Sequence, residues 1–150
     1  CYLNLLSLSP AGRIVVTDLN DWRLEQALKH GATDIINSGR EDPVKRLKEI
    51  NNGRLADALF VAVPNVHVWD QAMDMCEKGA TLSFGTPLNP DVKWPINPYK
   101  MWLSGIKINL TYSTTHIETK AVLEFIASGR LDVESFVTNR FNLDEVPEAI

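Results

Sequence analysis

One carboxylate in this sequence stands where it could bind a sugar. The stretch RIVVTD (13–18) is a run of β-branched apolar residues, which predicts a buried strand, and it ends on Asp18. The two oxygens of a carboxylate can accept hydrogen bonds from the two hydroxyls of a ribose, and their charge repels a phosphate at the 2′ position. Asp18 is therefore a candidate ligand for a nucleotide ribose.

The other explanation for Asp18 is that it only caps the following helix. The helical stretch begins within NDWRLEQALKHG (20–31), and either Asn20 or Asp21 is better placed to accept from the first free backbone N–H groups. This comparison favours the ribose contact. An acid at this point predicts a preference for NAD over NADP.

The elements around Asp18 alternate between strand and helix patterns. Further strands are predicted at 33–38, 56–63, 80–85, 106–113 and 135–143, and helices at 20–31, 41–53, 65–79 and 114–129, the last opened by a capping box at Thr115 and Glu118. Apolar strands joined by single helices predict an α/β fold with a doubly wound parallel sheet, Rossmann-like, as one domain over 1–150.

Composition excludes several classes of protein. The net charge of −4 argues against a nucleic-acid surface, and no apolar run reaches the roughly 18 residues of a membrane span. Cys1 and Cys76 form neither a metal-ligand spacing nor a disulfide framework, so we expect a reducing, cytoplasmic setting. Cys76, on the apolar face of a predicted helix, is interpreted as a core thiol.

Both ends of the sequence are abrupt. CYLNLLSLSPAGR (1–13) resembles the second half of a buried helix, and LDEVPEAI (143–150) resembles the first turns of another. The glycine-rich turn that binds a dinucleotide pyrophosphate is expected about 20 residues before the acid that binds the ribose. Counted back from Asp18, that position lies just before Cys1. We therefore expect the chain to be a cofactor-binding portion, truncated at both ends, of a larger protein.

Three stretches resemble the medium-chain dehydrogenase family, in its zinc-type alcohol and polyol branch. They are AGRIVVTDLNDWRLEQALKHGATDIINS (11–38), EKGATLSFGTP (77–87) and FIASGRLDVESFVTNRFNLDEVPEAI (125–150). The first and the last are specific, whereas the rest is typical of any Rossmann-like domain. These stretches are distributed over residues 11–150, and the resemblance as a whole extends along nearly the entire chain.

The resemblance assigns roles to residues along the carboxyl ends of the strands. Asp18 would hold the adenosine ribose, and Arg23 would lie near the same ribose or the adenine. Pro64 stands where the family usually has glycine, which fixes one backbone angle. The residues implied at the nicotinamide end are Val63, Gly85, Thr86, Thr111 and Tyr112.

The resemblance also implies what the chain lacks. The family's zinc ligands belong to a separate catalytic domain, so no catalytic or metal-binding residue is expected here and the chain alone should be inactive.

The whole protein would be an NAD-dependent, zinc-type dehydrogenase of a small-molecule alcohol, either a polyol or another secondary alcohol. The Pro- and Trp-rich segment 91–103 is expected to form a homo-oligomer contact.

Two other functions share this architecture. An S-adenosylmethionine-dependent methyltransferase also ends its second strand on an acid, although it usually closes its sheet with an antiparallel hairpin, which the sequence does not predict. A nucleotide-binding or dimerisation module without catalysis would need only the Rossmann-like unit. Both remain alternatives at this stage.

Overall fold

A computed structural model describes the backbone of residues 2–149 and the side chains of residues 2–148. The chain divides into two compact units between Ser113 and Thr114. The single-domain organisation of 1–150 stays a prediction.

The first unit alternates helices and strands, as the sequence predicts. Its elements are α1 (Tyr2–Ser7), β1 (Val15–Asp18), α2 (Asp21–Lys29), β2 (Asp34–Asn37), α3 (Pro43–Ile50), β3 (Ala56–Val61), α4 (Val66–Asp74), β4 (Cys76–Phe84), α5 (Pro98–Ser104) and β5 (Lys107–Leu110). The α/β class is therefore confirmed.

The strands pair in parallel but form two sheets. β1 pairs with β2 in one sheet, and the second sheet has the order β3-β4-β5. In the doubly wound order 3-2-1-4-5-6, the second and fourth strands flank the first strand and do not pair with each other. The two sheets agree with that order if β1 is matched to its second strand and β3 to its fourth, since β1 and β3 do not pair with each other.

Two apolar clusters hold the first unit together. The larger cluster joins α4 to the three-stranded sheet through Trp69, Leu82 and Phe84, with the Trp69 and Phe84 rings stacked at 3.8 Å. The smaller cluster joins β2 to α3 through Ile36 and Leu47, both at most 2% exposed. Burial of such side chains stabilises the unit by about 1.5–3 kcal/mol each.

Two elements of this unit differ from the sequence prediction. α4 ends at Asp74, and β4 begins at Cys76, so the predicted continuation of the helix to Gly79 is wrong. The backbone N–H of Ala56 donates to the carbonyl of Met75, which draws this stretch into the strand ladder. Within 86–105, which the sequence leaves irregular, α5 forms because Asn97 caps its first two N–H groups and Gly105 ends it with φ +65°.

β3 is also less buried than its apolar sequence predicts. Of its six residues only Val61 is buried, and Phe60 is 45% exposed. Among the described residues, β3 pairs only with β4, so it lies at the edge of its sheet. A strand at a sheet edge has fewer neighbours to cover its side chains.

The second unit contains α6 (His116–Ala127), two 3-10 turns (Glu134–Phe136 and Leu143–Glu145) and α7 (Val146–Ala149). The capping box is confirmed: Thr115 donates to the Glu118 carboxylate and accepts from the backbone N–H of Ile117. The hydrogen bond from the Thr115 side chain holds the pKa of Glu118 below its usual range.

The strand predicted at 135–143 is wrong. The described backbone there is a 3-10 turn followed by irregular chain. Among residues 2–149, strand pairing is confined to β1–β5. An extended segment becomes a strand only where its backbone pairs with a neighbour. The helix predicted at the end of the chain is found as α7 within the described residues.

Candidate functional site

Asp18 is the last residue of β1, and its side chain is 29% exposed. Its Oδ1 accepts a hydrogen bond from the backbone N–H of Asn20 at 2.9 Å. Its Oδ2 lies 3.8 Å from Nη1 of Arg23, whose side chain is 67% exposed. The carboxylate therefore faces solvent at the carboxyl end of a parallel strand, the edge at which such sheets bind ligands.

The capping question is answered by Asn20. Its Oδ1 accepts from the backbone N–H of Arg23 at 3.3 Å, so Asn20 is the N-cap of α2. Asp18 still has a local structural role, because its hydrogen bond from Asn20 closes a short turn after the strand. Among the described residues, its Oδ2 has only the long ion pair to Arg23.

Sequence reasoning missed the polar residues beside Asp18. Asn37 ends β2 and is the register partner of Asp18. Its Nδ2 donates to the Oδ1 of Asp21 at 2.6 Å, and Asp21 also forms an ion pair with Arg40. The missed signal was a polar residue at the end of a second apolar strand, the same pattern that singled out Asp18.

The residues expected at the nicotinamide end follow three neighbouring strands. Val61, Phe84 and Leu110 are paired in register, so the chain leaves β3, β4 and β5 at one edge of the sheet. The backbone N–H of Gly85 donates to the Val61 carbonyl at 2.9 Å, and that of Thr111 donates to the Phe84 carbonyl at 3.3 Å. The structure thus gathers Val63, Pro64, Gly85, Thr86, Thr111 and Tyr112 at this edge.

Tyr2 also reaches this edge. Its ring stacks on Phe60 with centroids 5.6 Å apart. A Cβ built on Gly85 would overlap the Tyr2 hydroxyl, so only glycine fits beside Tyr2 as it stands. A ligand approaching the Gly85 backbone would have to displace this flexible side chain.

Several polar groups at this edge already form hydrogen bonds within the chain. The Val63 carbonyl accepts from the Trp69 Nε1 at 3.1 Å and from the backbone N–H of Asn65 at 2.9 Å, the latter across Pro64. The Thr111 hydroxyl donates to the Phe84 carbonyl at 3.2 Å. Tyr112 is 92% exposed, so its phenol is available to a ligand or to another part of the protein.

Within residues 2–149, no group of three or more His, Cys, Asp and Glu side chains could hold a metal ion. The helices of the described residues lack the length and apolar character that a membrane span requires. Cys76 is buried, as the sequence predicts, but it lies at the start of β4 rather than on a helix. Burial raises the pKa of its thiol from 9.0 to about 11.

Comparison with known proteins now decides the family. A family model described as zinc-binding dehydrogenase matches residues 1–128. The chain belongs to the zinc-binding dehydrogenase family. The resemblance drawn from the sequence is thereby confirmed.

Members of this family resemble the chain along nearly all its length. Sorbitol dehydrogenase of Bacillus subtilis is 32% identical over 141 residues, which cover 93% of this chain and 39% of that enzyme. NADP-dependent isopropanol dehydrogenase of Entamoeba histolytica is 28% identical over 148 residues, with 93% and 39% covered. The chain therefore spans about two-fifths of the length of these relatives.

A solved structure agrees with the fold. The alcohol dehydrogenase from Thermus sp. ATN1 superposes with a TM-score of 0.89 at 26% identity, and the match covers 98% of this chain and 42% of that one. The two-sheet arrangement thus lies within a Rossmann-like dehydrogenase architecture.

Proposed function

We propose that this chain is the NAD-binding part of a zinc-dependent oxidoreductase that acts on a polyol or another secondary alcohol. The observation that carries the proposal is Asp18: a solvent-facing carboxylate at the carboxyl end of β1, in a member of the zinc-binding dehydrogenase family. Bound NAD would accept the hydride from the alcohol. The chain's own residues bind and orient the cofactor.

The residues at the two ends of the proposed site suit different parts of NAD. Asp18 would accept hydrogen bonds from both hydroxyls of the adenosine ribose, and Arg23 would offset its charge beside the ribose or the adenine. Thr86, Thr111 and the backbone at Val63, Pro64 and Gly85 would line the nicotinamide end with Tyr112. No step through zinc is assigned to this chain, because its described side chains do not assemble a metal site.

The preference for NAD over NADP rests on charge. A 2′-phosphate would meet the Asp18 carboxylate. Of the two cations near it, Arg40 is already paired with Asp21, and the exposed Arg23 lies 3.8 Å from Asp18, whose charge it offsets. One relative is named NADP-dependent, so the family name alone does not select the cofactor. The proposal therefore depends on Asp18 and requires a direct test.

The test is titration of NADH and NADPH fluorescence on the intact protein and on Asp18→Ala. Loss of two hydrogen bonds to a charged acceptor should weaken NADH binding about 10- to 100-fold. NADPH binding should change little or improve. Unchanged NADH affinity in Asp18→Ala, or tighter binding of NADPH than of NADH by the unmodified protein, contradicts the proposal.

Asp34→Ala is a closely matched control. Asp34 has the same side-chain exposure, 29%, and a comparable arginine contact, 3.7 Å to Arg13. It lies at the amino end of β2, whereas Asp18 lies at the carboxyl end of β1. We expect Asp34→Ala to leave the Kd of NADH unchanged.

The proposal extends to the setting of the whole protein. We infer a cytoplasmic enzyme that self-associates through 91–103, where Tyr99, Trp102 and Leu103 are each more than half exposed.

The two alternative functions, a methyltransferase and a module without catalysis, are not favoured. All strand pairing among the described residues is parallel, without the antiparallel hairpin of a methyltransferase, and the relatives named above are dehydrogenases rather than catalytically inert modules.

A further inference from the structure

Asn37 stands opposite Asp18 at the end of the two-stranded sheet. The two residues are register partners, and the backbone N–H of Ser38 donates to the Asp18 carbonyl at 3.2 Å. The chain segments that leave β1 and β2 are therefore adjacent. A contact that restricts the backbone after one strand therefore also restricts the backbone after the other.

The side-chain amide of Asn37 bonds to both segments. Its Oδ1 accepts from the backbone N–H of Gly39 at 3.0 Å. Its Nδ2 donates to the Leu19 carbonyl at 3.3 Å and to the Oδ1 of Asp21 at 2.6 Å. A reversed amide would turn its oxygen towards two acceptors and its nitrogen towards a donor, so the partners determine one orientation.

These bonds constrain the residues that orient the Asp18 carboxylate. Leu19 follows Asp18 directly, and the backbone N–H of the next residue, Asn20, binds Oδ1 of Asp18. Asn37 holds this turn at Leu19 and again at Asp21. Without the amide, the turn would keep only its local bonds, and the carboxylate would sample more orientations.

We propose that Asn37 is a positioning residue that sets the Asp18 carboxylate for ribose binding. The inference rests on the proposed function, because it assumes that Asp18 binds the ribose. Asn37 itself need not touch the cofactor. It lowers the entropic cost of ribose binding, because the β1–α2 turn is already ordered before the ribose binds.

The experiment compares Asn37→Ala with Asn51→Ala in the intact protein. Asn51 is the C-cap of α3, and its Nδ2 donates to the Leu55 carbonyl at 3.0 Å, so the control also removes a hydrogen bond from an asparagine amide to the backbone, but one within a single connection. We expect Asn37→Ala to raise the Kd of NADH about five- to tenfold, and to raise the KM for NAD while leaving kcat at saturating NAD unchanged. Asn51→Ala should leave the Kd of NADH within about twofold.

A double variant separates positioning from general stability. Because Asn37 acts through Asp18, Asn37→Ala should have little further effect on NADH affinity in an Asp18→Ala background. An equal loss in both backgrounds, or an unchanged Kd in Asn37→Ala, would overturn the inference. If Asn37→Ala does not fold, Asn37→Leu retains the branched side-chain shape without donor, acceptor or charge, and should show the same loss.

Failure of this inference can be told apart from failure of the proposed function. If Asp18→Ala weakens NADH binding and Asn37→Ala does not, only the positioning role is wrong. If Asp18→Ala binds NADH as tightly as the unmodified protein, the ribose assignment is wrong, and the positioning role is wrong with it.

Discussion

At the scale of single residues, the site depends on which polar atoms are engaged within the chain and which still face solvent. Asp18 uses Oδ1 in a local turn and keeps Oδ2 opposite an exposed arginine. Asn37 is engaged through both atoms of its amide. This division gives the two residues different proposed roles: Asp18 contacts the ligand, and Asn37 holds the turn.

Cys76 allows a prediction of pH dependence. Its pKa rises from 9.0 to about 11 on folding, because burial disfavours the thiolate. The folded state therefore holds the proton more tightly than the unfolded state, so the contribution of Cys76 is complete below pH 9 and is lost as the pH rises towards 11. The loss should be on the order of 2 kcal/mol in the free energy of unfolding.

The measurement is urea unfolding of the protein and of Cys76→Ala across that pH range. Lysines and tyrosines titrate in both, so the difference between the two curves isolates Cys76. The stability advantage of the unmodified protein should shrink as the pH rises. A difference that stays constant from pH 8 to 11 would show that the thiol does not titrate in this way.

At the scale of elements, short local signals place the helices. Asp42 accepts from the backbone N–H groups of Val44 and Lys45 at 2.9 and 3.2 Å, and Pro43 supplies the first helical φ of α3. α3 in turn buries Leu47 against β2. The cap therefore stabilises the strand whose end carries Asn37.

We expect Asp42→Ala to destabilise α3 by about 1 kcal/mol, since it leaves two N–H groups without their acceptor. The measurement is amide hydrogen exchange, in which protection of the α3 amides should fall about fivefold. Asp57→Ala, which removes an exposed ion pair to Arg54, is the control and should change protection little. Equal effects of the two substitutions would contradict the capping role.

At the scale of the whole molecule, segment 91–103 has some side chains that contact the rest of the chain and others that are exposed to solvent. Trp94 packs edge-on against Trp69 and Phe84, and Lys100 forms an ion pair with Asp74 at 2.8 Å. Trp102, in contrast, is 79% exposed. A large aromatic side chain on an anchored segment is typical of a contact between subunits.

Substitution of Trp102 tests the proposed self-association. Trp102→Glu should convert the intact protein to a smaller species, because a charge in an apolar contact is left unpaired. Light scattering gives the mass, and circular dichroism shows whether the fold is kept. Leu28→Glu, an exposed position on α2, is the control and should not change the mass. A monomeric unmodified protein, or an unchanged mass in Trp102→Glu, would refute the contact.

The sequence by itself determined the α/β class, the start of α2 at Asn20 or Asp21, and the position of Asp18 at a strand end, because periodicity and capping are local properties. Tertiary structure decided which strands pair, that β4 begins at Cys76, and that 135–143 forms no strand, because a strand requires a partner. It also decided the role of Asn37. Its amide and the ion pair beside it join residues 16 to 19 positions apart, and only the parallel register of β1 and β2 brings them together.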